Sequence, residues 1–257
     1  MPDEKSLFQT VGPSWSARAS LVGLDAVLDP AGSARKNLFL HGIHILGAKR
    51  ALKYFPRGSA IIDFGCGTGR FTTFFASRQR RVLGTEVTPE MLEQAKKECT
   101  VGSCEFALTD GISLPCASES VDGIWCCAVL RYSLFVPNPA YDRIAKEMYR
   151  VLRPGAYMVN CEMYVDVPPE VFLQGFEDAG FETRNIFVLH RYGRRLERTL
   201  THRLIPDRWI TSAASLAALV RYTLDNPRRQ VGGLRDYLFV WRKPVHAHID
   251  PMKQPGI

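Results

Sequence analysis

The sequence predicts a doubly wound α/β fold built on a mostly parallel sheet of seven strands. Seven short segments are β-branched or alternate between apolar and polar residues, and helical patterns separate most of them. The chain has 257 residues, of which 46% are hydrophobic and 23% charged, so it is long enough to bury a sizeable core. This composition excludes a disordered, collagenous or coiled-coil protein. A glycine-rich loop directly after the first strand predicts a ligand site there.

Two segments precede the first strand. Residues 1–34 mix Gly, Pro and Ser with short apolar stretches and show no sustained period, so we expect an irregular N-terminal arm. From Ala34 to Phe55, apolar residues and His41 recur at steps of three and four, which indicates an amphipathic helix. A proline and a glycine then end that helix. The arm and the helix together form a first unit, 1–57.

Strands and helices then alternate through the predicted core, 58–190. The predicted strands, including a last one beyond this core, cover 60–64, 81–86, 104–108, 121–127, 156–163, 181–189 and 237–241. One predicted helix carries Phe71, Phe74 and Phe75 on its inner face. The other predicted helices cover 89–98, 140–152 and 168–180. Strands separated by helices favour parallel pairing with helices on both faces of the sheet.

The segment between the sixth and seventh strands carries the positive charge of the chain. Residues 191–235 hold ten arginines against three acidic residues, so their net charge equals the +7 of the whole chain. Interleaved apolar residues predict helices that pack on the sheet domain. Three interpretations stay open: a solvated lid or dimer face, a surface for an anionic or lipid-linked small molecule, and a surface that follows an RNA backbone. A last strand, 236–243, and a tail, 244–257, follow.

The seven cysteines include no Cys-x-x-Cys pair. We therefore expect neither a disulfide framework nor a metal site, and interpret them as reduced thiols that are mostly buried. No apolar run approaches the roughly 20 residues that a membrane span needs, and the first residues lack the pattern of a signal peptide. These features predict a cytoplasmic protein without integral membrane association.

Residues 63–70 read Asp-Phe-Gly-Cys-Gly-Thr-Gly-Arg and open a helix. A dinucleotide fingerprint needs a glycine where Arg70 stands, so a nicotinamide or flavin site is disfavoured. Glu86 ends the second strand, where a carboxylate accepts hydrogen bonds from ribose hydroxyls. Asp110 and Gly111 follow the third strand, where an acceptor and an amide can contact an adenine edge. Three adjacent strand ends therefore converge on one adenosine.

Four segments in order make the sequence resemble the class I S-adenosylmethionine-dependent methyltransferases, in particular the small-molecule type 11 or UbiE/COQ-like group. The glycine loop is similar to that family's first motif, and 86–92 is similar to its second. The stretch 110–122, with Leu-Pro in its middle, resembles the path to the fourth strand, and 147–155 resembles the helix that ends in Arg-Val-Leu-x-Pro-Gly. The resemblance spans residues 58–182.

The resemblance implies a Rossmann-like sheet with an antiparallel last strand, S-adenosylmethionine as cofactor and a lid role for the helix before the first strand. It also implies the residues that bind the methyl donor, which are Asp63, Gly65, Cys66, Gly67, Thr68, Gly69, Glu86, Val87, Met91, Asp110, Gly111 and Cys127.

The catalytic candidates are fewer. Methyl transfer from a sulfonium is an in-line displacement, so the protein supplies alignment and a dry pocket, and a base is needed only for a protonated acceptor. His41 lies on the lid helix, with His44 three residues further, and Tyr132 comes just after the fourth strand. We name His41 and Tyr132 as candidates.

The expected activity is methylation of a small molecule, with anionic, lipid-linked and glycosylated acceptors all open. RNA methylation through the basic segment is the alternative enzymatic hypothesis, and a non-catalytic binding module is the third. The sequence leaves the acceptor atom and the oligomeric state open.

Overall fold

The computed structural model describes residues 7–21, 23–29, 33–134, 140–165, 168–191, 199–202, 205–224 and 235–245. The strands are β1 (Ala60–Phe64), β2 (Arg81–Glu86), β3 (Cys104–Leu108), β4 (Val121–Cys127), β5 (Leu152–Val165), β6 (Glu182–Arg191) and β7 (Arg235–Arg242). They form one sheet in the order β3-β2-β1-β4-β5-β7-β6. β7 is antiparallel to both of its neighbours, and the other paired strands are parallel. The predicted fold class is confirmed.

Helices cover both faces of this sheet. They are α1 (Leu7–Arg18), α2 (Leu24–Val27), α3 (Ala34–Ala51), α4 (Arg70–Ala76), α5 (Pro89–Glu98), α6 (Leu130–Leu134), α7 (Ala140–Val151), α8 (Glu170–Asp178) and α9 (Asp207–Leu224). Side chains of α3, α4 and α9 form one hydrophobic cluster with the sheet, and side chains of α7 and α8 form the other. On the second face, Phe176 stacks on Trp241 of β7 with ring centroids 4.3 Å apart.

The strand bounds follow the sequence pattern closely. β1 to β4 begin and end at the predicted residues. β5 begins earlier than predicted, at Leu152, because the chain pairs with Val121 of β4 before the proline and glycine that follow. A register shift between Val121 and Gly123 accommodates these extra residues. The carboxyl ends of the parallel strands therefore meet at one edge, as the sequence predicts.

The N-terminal arm differs from the prediction. Residues 7–18 form α1, a helix with Pro13 inside it, where we expected irregular structure. Trp15 packs edge-on against the ring of Tyr132, and the Ser16 hydroxyl donates a hydrogen bond to Glu90 Oε2 at 3.2 Å. A surface helix that packs through so few side chains needs no apolar stripe, so its sequence shows no period.

A helix of the basic segment, α9, packs directly on α3. The Ser215 hydroxyl donates to the carbonyl oxygen of Gly42 at 2.6 Å, and the Thr211 hydroxyl donates to the carbonyl oxygen of Leu38 at 3.2 Å. This approach depends on Gly42, where a Cβ atom would lie 2.4 Å from the carbonyl oxygen of Thr211. The buried side chains of α9 include Ile210, Ala214 and Ala218.

The three interpretations of the basic charge stay predictions. Six of the ten arginines, at positions 194, 195, 198, 203, 228 and 229, lie outside the described residues. Of the described ones, Arg208 is exposed on α9, whereas Arg235 is buried and donates to the Tyr237 hydroxyl at 3.2 Å. Arg235 therefore belongs to the packed sheet rather than to a basic surface.

The expectation that all cysteines are reduced is wrong at one pair. Cys99 and Cys104 form a disulfide, with Cα atoms 7.0 Å apart. Cys99 ends α5 and Cys104 begins β3, so the turn between these elements brings the two thiols together. Their spacing matches no common motif, which is why the sequence did not indicate the pair. Among the described helices, none combines the length and the apolar character needed to cross a bilayer.

Candidate active site

The loops after β1, β2, β3 and β4 enclose one cleft with an empty volume of about 930 Å³, including its mouth. The cleft is lined by Trp15, Val27, Asp63, Phe64, Gly65, Cys66, Gly67, Arg70, Phe71, Thr85, Glu86, Val87, Met91, Thr109, Gly111, Cys127, Ala128, Val129 and Tyr132. Most of the residues predicted to bind the donor are in this set, and the exceptions are Thr68, Gly69 and Asp110.

The glycine loop forms one wall of the cleft. Gly65 and Gly67 have φ values of 69° and 55°, a left-handed conformation that favours glycine. A Cβ atom at Gly65 would also lie 2.5 Å from Cγ2 of Val129. The amide N–H groups of Gly65 and Cys66 both donate to the carbonyl oxygen of Thr85 at 2.9 Å, which ties the loop to β2. The loop therefore presents its backbone, not side chains, to a ligand.

Glu86 joins the glycine loop to the turn after β2. Its Oε2 accepts a hydrogen bond from Gly67 N–H at 2.9 Å, and its Oε1 accepts from Val87 and Thr88 N–H at 2.9 and 3.0 Å. Burial raises the pKa of this carboxyl, and the three amides act in the opposite direction. A carboxylate has about four acceptor positions, so one stays available to a ribose hydroxyl.

Asp63 is the second buried carboxyl in the cleft. It is 2% exposed, and its Oδ2 accepts a hydrogen bond from the Thr72 hydroxyl at 2.6 Å. Burial raises the pKa of Asp63 to about 7, and the Thr72 hydrogen bond only partly offsets this effect. A cation bound in the cleft would stabilise the ionised form of Asp63 because opposite charges attract strongly where water is excluded.

The loop after β3 enters the cleft through Thr109 and Gly111 rather than through Asp110. The Asp110 carboxylate is exposed and turned into its own loop, where it accepts from Ile112 N–H at 2.8 Å and from Ser113 N–H at 2.6 Å. These bonds fix the shape of the loop and hold Gly111 against the cleft. The predicted contact of Asp110 with adenine stays a prediction.

Aromatic side chains close the other end of the cleft. Trp15 of α1 and Tyr132 of α6 make an edge-to-face contact, with ring centroids 5.7 Å apart and planes at 85°. Between them and the glycine loop lies Ala128, whose φ of 59° is unusual for a residue with a side chain. The Ala128 N–H donates to the carbonyl oxygen of Cys161 at 2.9 Å, which holds the chain in this bend after β4.

Arg70 brings a positive charge to the floor of the cleft. One of its nitrogens lies 2.8 Å from Nδ1 of His41 and another lies 3.4 Å from Nδ1 of His44. Within the described residues, no carboxylate forms a hydrogen bond or ion pair with Arg70. In the dinucleotide motif Arg70 counts only as a missing glycine, although an arginine beside a predicted ligand loop is itself a signal.

His41 does not line the cleft, whereas the other catalytic candidate, Tyr132, does. Burial lowers the pKa of His41 to about 3, and the adjacent Arg70 guanidinium adds to this effect. The ring is therefore neutral near pH 7, with Nδ1 accepting from Arg70. His41 can act on the cleft through Arg70, and its direct catalytic role stays a prediction.

Residues 61–155 match the family model described as a methyltransferase domain. This range contains the glycine loop, Glu86 and the loops after β3 and β4, which together form the cleft. In this range the chain is similar to methyltransferase domains. The domain implies S-adenosylmethionine as methyl donor, and the cleft fits it, because Asp63 and Glu86 are carboxylates suited to a cationic nucleoside and the glycine loop leaves room beside them.

Curated relatives match less than half of the chain. Methyltransferase GfsG of Streptomyces halstedii is 31% identical over 113 residues, which are 42% of this chain and 39% of that protein. Arsenite methyltransferase of Halobacterium salinarum is 29% identical over 129 residues, which are 48% of this chain and 32% of that protein. The matched part thus spans about two fifths or less of these relatives.

Solved structures extend the similarity in fold to most of the chain. Geranyl diphosphate C-methyltransferase from Streptomyces coelicolor A3(2) superposes with a TM-score of 0.61 at 13% identity, covering 94% of this chain and 100% of that one. A methyltransferase described in complex with the Haloferax volcanii Trm112 activator gives a TM-score of 0.58 at 19% identity. The superposition covers 90% of this chain and 97% of that one. At these identities the likeness concerns the fold alone.

Proposed function

We propose that this protein transfers the methyl group of S-adenosylmethionine to a small-molecule acceptor. The observation that carries the proposal is one cleft in which two buried carboxylates, Asp63 and Glu86, lie beside a glycine loop and opposite an aromatic mouth. The carboxylates suit a cationic nucleoside, and the aromatic mouth gives an acceptor a water-poor place beside it. When bound, S-adenosylmethionine supplies an activated methyl group on a sulfonium.

Each polar group at the donor end of the cleft is assigned a contact with S-adenosylmethionine. Glu86 holds a ribose hydroxyl with its remaining acceptor position, and Met91 and the Gly111 amide lie where adenine is expected. Asp63 offsets the positive charge of the donor. These contacts fix the direction of the methyl group, and such alignment is the main contribution a protein makes to an in-line displacement.

The acceptor end favours an apolar molecule with an anionic group. Trp15, Val27, Val129 and Tyr132 supply apolar and aromatic walls, and Arg70 supplies a cation that, among the described residues, forms no hydrogen bond or ion pair with a carboxylate. A buried guanidinium is stabilised strongly by a bound carboxylate or phosphate. We assign Tyr132 to orienting the acceptor, and His41 to holding Arg70 in position.

Calorimetric titration with S-adenosylhomocysteine tests the donor site. Glu86→Ala removes the hydrogen bonds that connect the glycine loop, the turn after β2 and the ribose, so we expect affinity to fall by at least about 100-fold. Glu105→Ala is the matched control, because Glu105 is an exposed glutamate on the adjacent strand. Its affinity should equal that of the unmodified protein.

Incubating the protein with cell extract and isotopically labelled S-adenosylmethionine then identifies the acceptor. We expect a labelled metabolite by mass spectrometry that is lost with Glu86→Ala. An unmodified protein that does not bind S-adenosylhomocysteine would contradict the proposal and favour the non-catalytic module. Label that enters only RNA would favour the alternative enzyme.

A further inference from the structure

A buried cluster of one imidazole and two thiols lies directly behind the cleft. One ring nitrogen of His44 and the Sγ atoms of Cys127 and Cys161 all lie within 4.8 Å of one another. His44 and Cys161 are fully buried, and Cys127 lines the cleft. The cluster therefore connects the interior of the protein with the proposed methyl-transfer site.

Three elements that are distant in sequence build this cluster. Cys127 of β4 and Cys161 of β5 are direct partners in the parallel pairing of these strands, so their side chains leave the sheet on the same face. Helix α3 covers that face and carries His44. It approaches closely because of Gly47, where a Cβ atom would lie 3.1 Å from Sγ of Cys161.

The imidazole has an unused ligand atom. Nδ1 of His44 faces Arg70 at 3.4 Å, whereas Nε2 is buried and has no hydrogen-bond partner among the described residues. An unpaired buried polar atom costs about 1 to 3 kcal/mol, so Nε2 has a strong preference for any ligand that reaches it. One nitrogen and two sulfur atoms form a donor set that selects zinc over magnesium or calcium.

We propose that His44, Cys127 and Cys161 bind a zinc ion at the inner wall of the cleft. Three protein ligands of the type Cys2His leave a fourth position of a tetrahedral ion open, as in catalytic zinc sites. Because Cys127 lines the cleft, that position is available to an acceptor hydroxyl or thiol. Zinc would lower the pKa of a bound acceptor hydroxyl or thiol, so the proton would pass to solvent water and the acceptor would be held as the anion that attacks the methyl group.

The charges around the cluster are compatible with this ion. Zinc with two thiolates and a neutral imidazole has no net charge, so it adds none beside the Arg70 guanidinium. Binding through Nε2 places the imidazole proton on Nδ1, and Arg70 then loses His44 as an acceptor. It keeps His41, whose Nδ1 lies at 2.8 Å.

Cobalt is the spectroscopic probe for this site. Protein freed of metal with a chelator and kept reduced is titrated with Co²⁺, and visible and near-ultraviolet absorption is recorded. We expect one equivalent to give the absorption bands of tetrahedral cobalt with thiolate ligands, and Zn²⁺ to displace it. His44→Gln and Cys161→Ala should weaken Co²⁺ binding by at least about 100-fold.

Cys126→Ala is the matched control, because Cys126 is an equally buried cysteine next to Cys127 whose side chain points to the opposite face of the sheet. It should bind Co²⁺ like the unmodified protein. Circular dichroism shows whether each variant is folded. If Cys161→Ala does not fold, the cobalt affinity of His44→Gln tests the proposal. The proposal is overturned if the unmodified protein gives no thiolate-to-cobalt band, if the folded variants retain it, or if Cys127 and Cys161 form a disulfide instead.

This result is independent of the proposed methyltransferase function. S-adenosylhomocysteine affinity is measured on the same samples, so an unmodified protein that binds this nucleoside but no cobalt refutes only the metal site.

Discussion

Asp63 couples the charge of a ligand to the protonation of the protein. Its pKa of about 7 lies above the value of 3.8 expected for an exposed aspartate, and burial is the main cause. Between these two values the folded protein holds a proton that the unfolded chain has released. The contribution of Asp63 to stability therefore decreases as pH rises through this window. A cationic donor has the opposite preference, because it binds the ionised carboxylate better.

We expect the affinity for S-adenosylmethionine to increase as pH rises toward 7, by up to about tenfold per pH unit, and then to level off. Calorimetry in buffers of different ionisation enthalpy should show proton release on binding below this pH. Asp63→Asn is the control, since the amide keeps the hydrogen bond from Thr72 but cannot titrate. A variant with the same pH dependence would show that another group is responsible.

At the residue scale, the sequence predicts which residues lie at the cleft where that location follows from chain position. Gly65, Gly67 and Glu86 were predictable because the ends of neighbouring parallel strands meet at one edge of a sheet. Asp110 was placed by the same logic, but its carboxylate satisfies two amides of its own loop. Local hydrogen bonds of this kind compete with a ligand and have no signature in the spacing of motifs.

At the scale of elements, the contact between α3 and α9 decides how the basic segment sits on the domain. Gly42 lets the two helices approach to the distance at which Ser215 reaches a backbone carbonyl of α3. Any side chain at this position meets the backbone of α9, which cannot move aside like a flexible side chain. The register of α9 on α3 therefore depends on one glycine.

Gly42→Ala should lower the free energy of unfolding by about 1 to 3 kcal/mol, although alanine is the better helix former. Urea unfolding followed by circular dichroism measures the change. Gly102→Ala is the matched control, because no atom lies within 4 Å of the added Cβ. We expect the control to leave stability unchanged or to raise it by up to about 1 kcal/mol. Equal effects of both substitutions would argue against the close approach.

The elements themselves were predictable to different degrees. β1 to β4 are short apolar runs bounded by turn residues, and these signals are local. α1 lacks such signals because it packs mainly through Trp15 on a residue more than one hundred positions away. A helix held by a distant contact leaves no period in its own sequence. The position of Arg70 in the cleft and the grouping of His44 with Cys127 and Cys161 escaped prediction for the same reason.

At the scale of the whole molecule, α1 covers the mouth of the cleft. Trp15 contacts Tyr132, and Arg18 lies over the Trp15 ring at 4.5 Å. Among the side chains of α1 that the structure describes, few others contact the domain, and the hydrogen bond between Ser16 and Glu90 is one of these contacts. Such a weakly held element opens more easily than the core, as a lid over a ligand site must.

Trp15→Ala removes about 1 to 2 kcal/mol of aromatic packing, so we expect α1 to open more often and trypsin to cleave after Arg18 about 5 to 30 times faster. In the unmodified protein, S-adenosylhomocysteine should slow this cleavage. The exposed Trp209 on α9 provides the control, and Trp209→Ala should leave the cleavage rate unchanged. A rate that does not respond to Trp15→Ala would contradict a lid held by this side chain.

The position of β7 also affects how the protein is made. It is the last of the described strands along the chain, yet it lies inside the sheet, between β5 and β6. Until β7 emerges from the ribosome, β5 and β6 cannot pair with it. Both strands then expose unpaired backbone groups along their edges. Open edges of this kind recruit other chains. Folding of the half of the sheet that carries β5 and β6 must therefore wait until β7 has been synthesised, whereas the half that forms the donor site can assemble earlier.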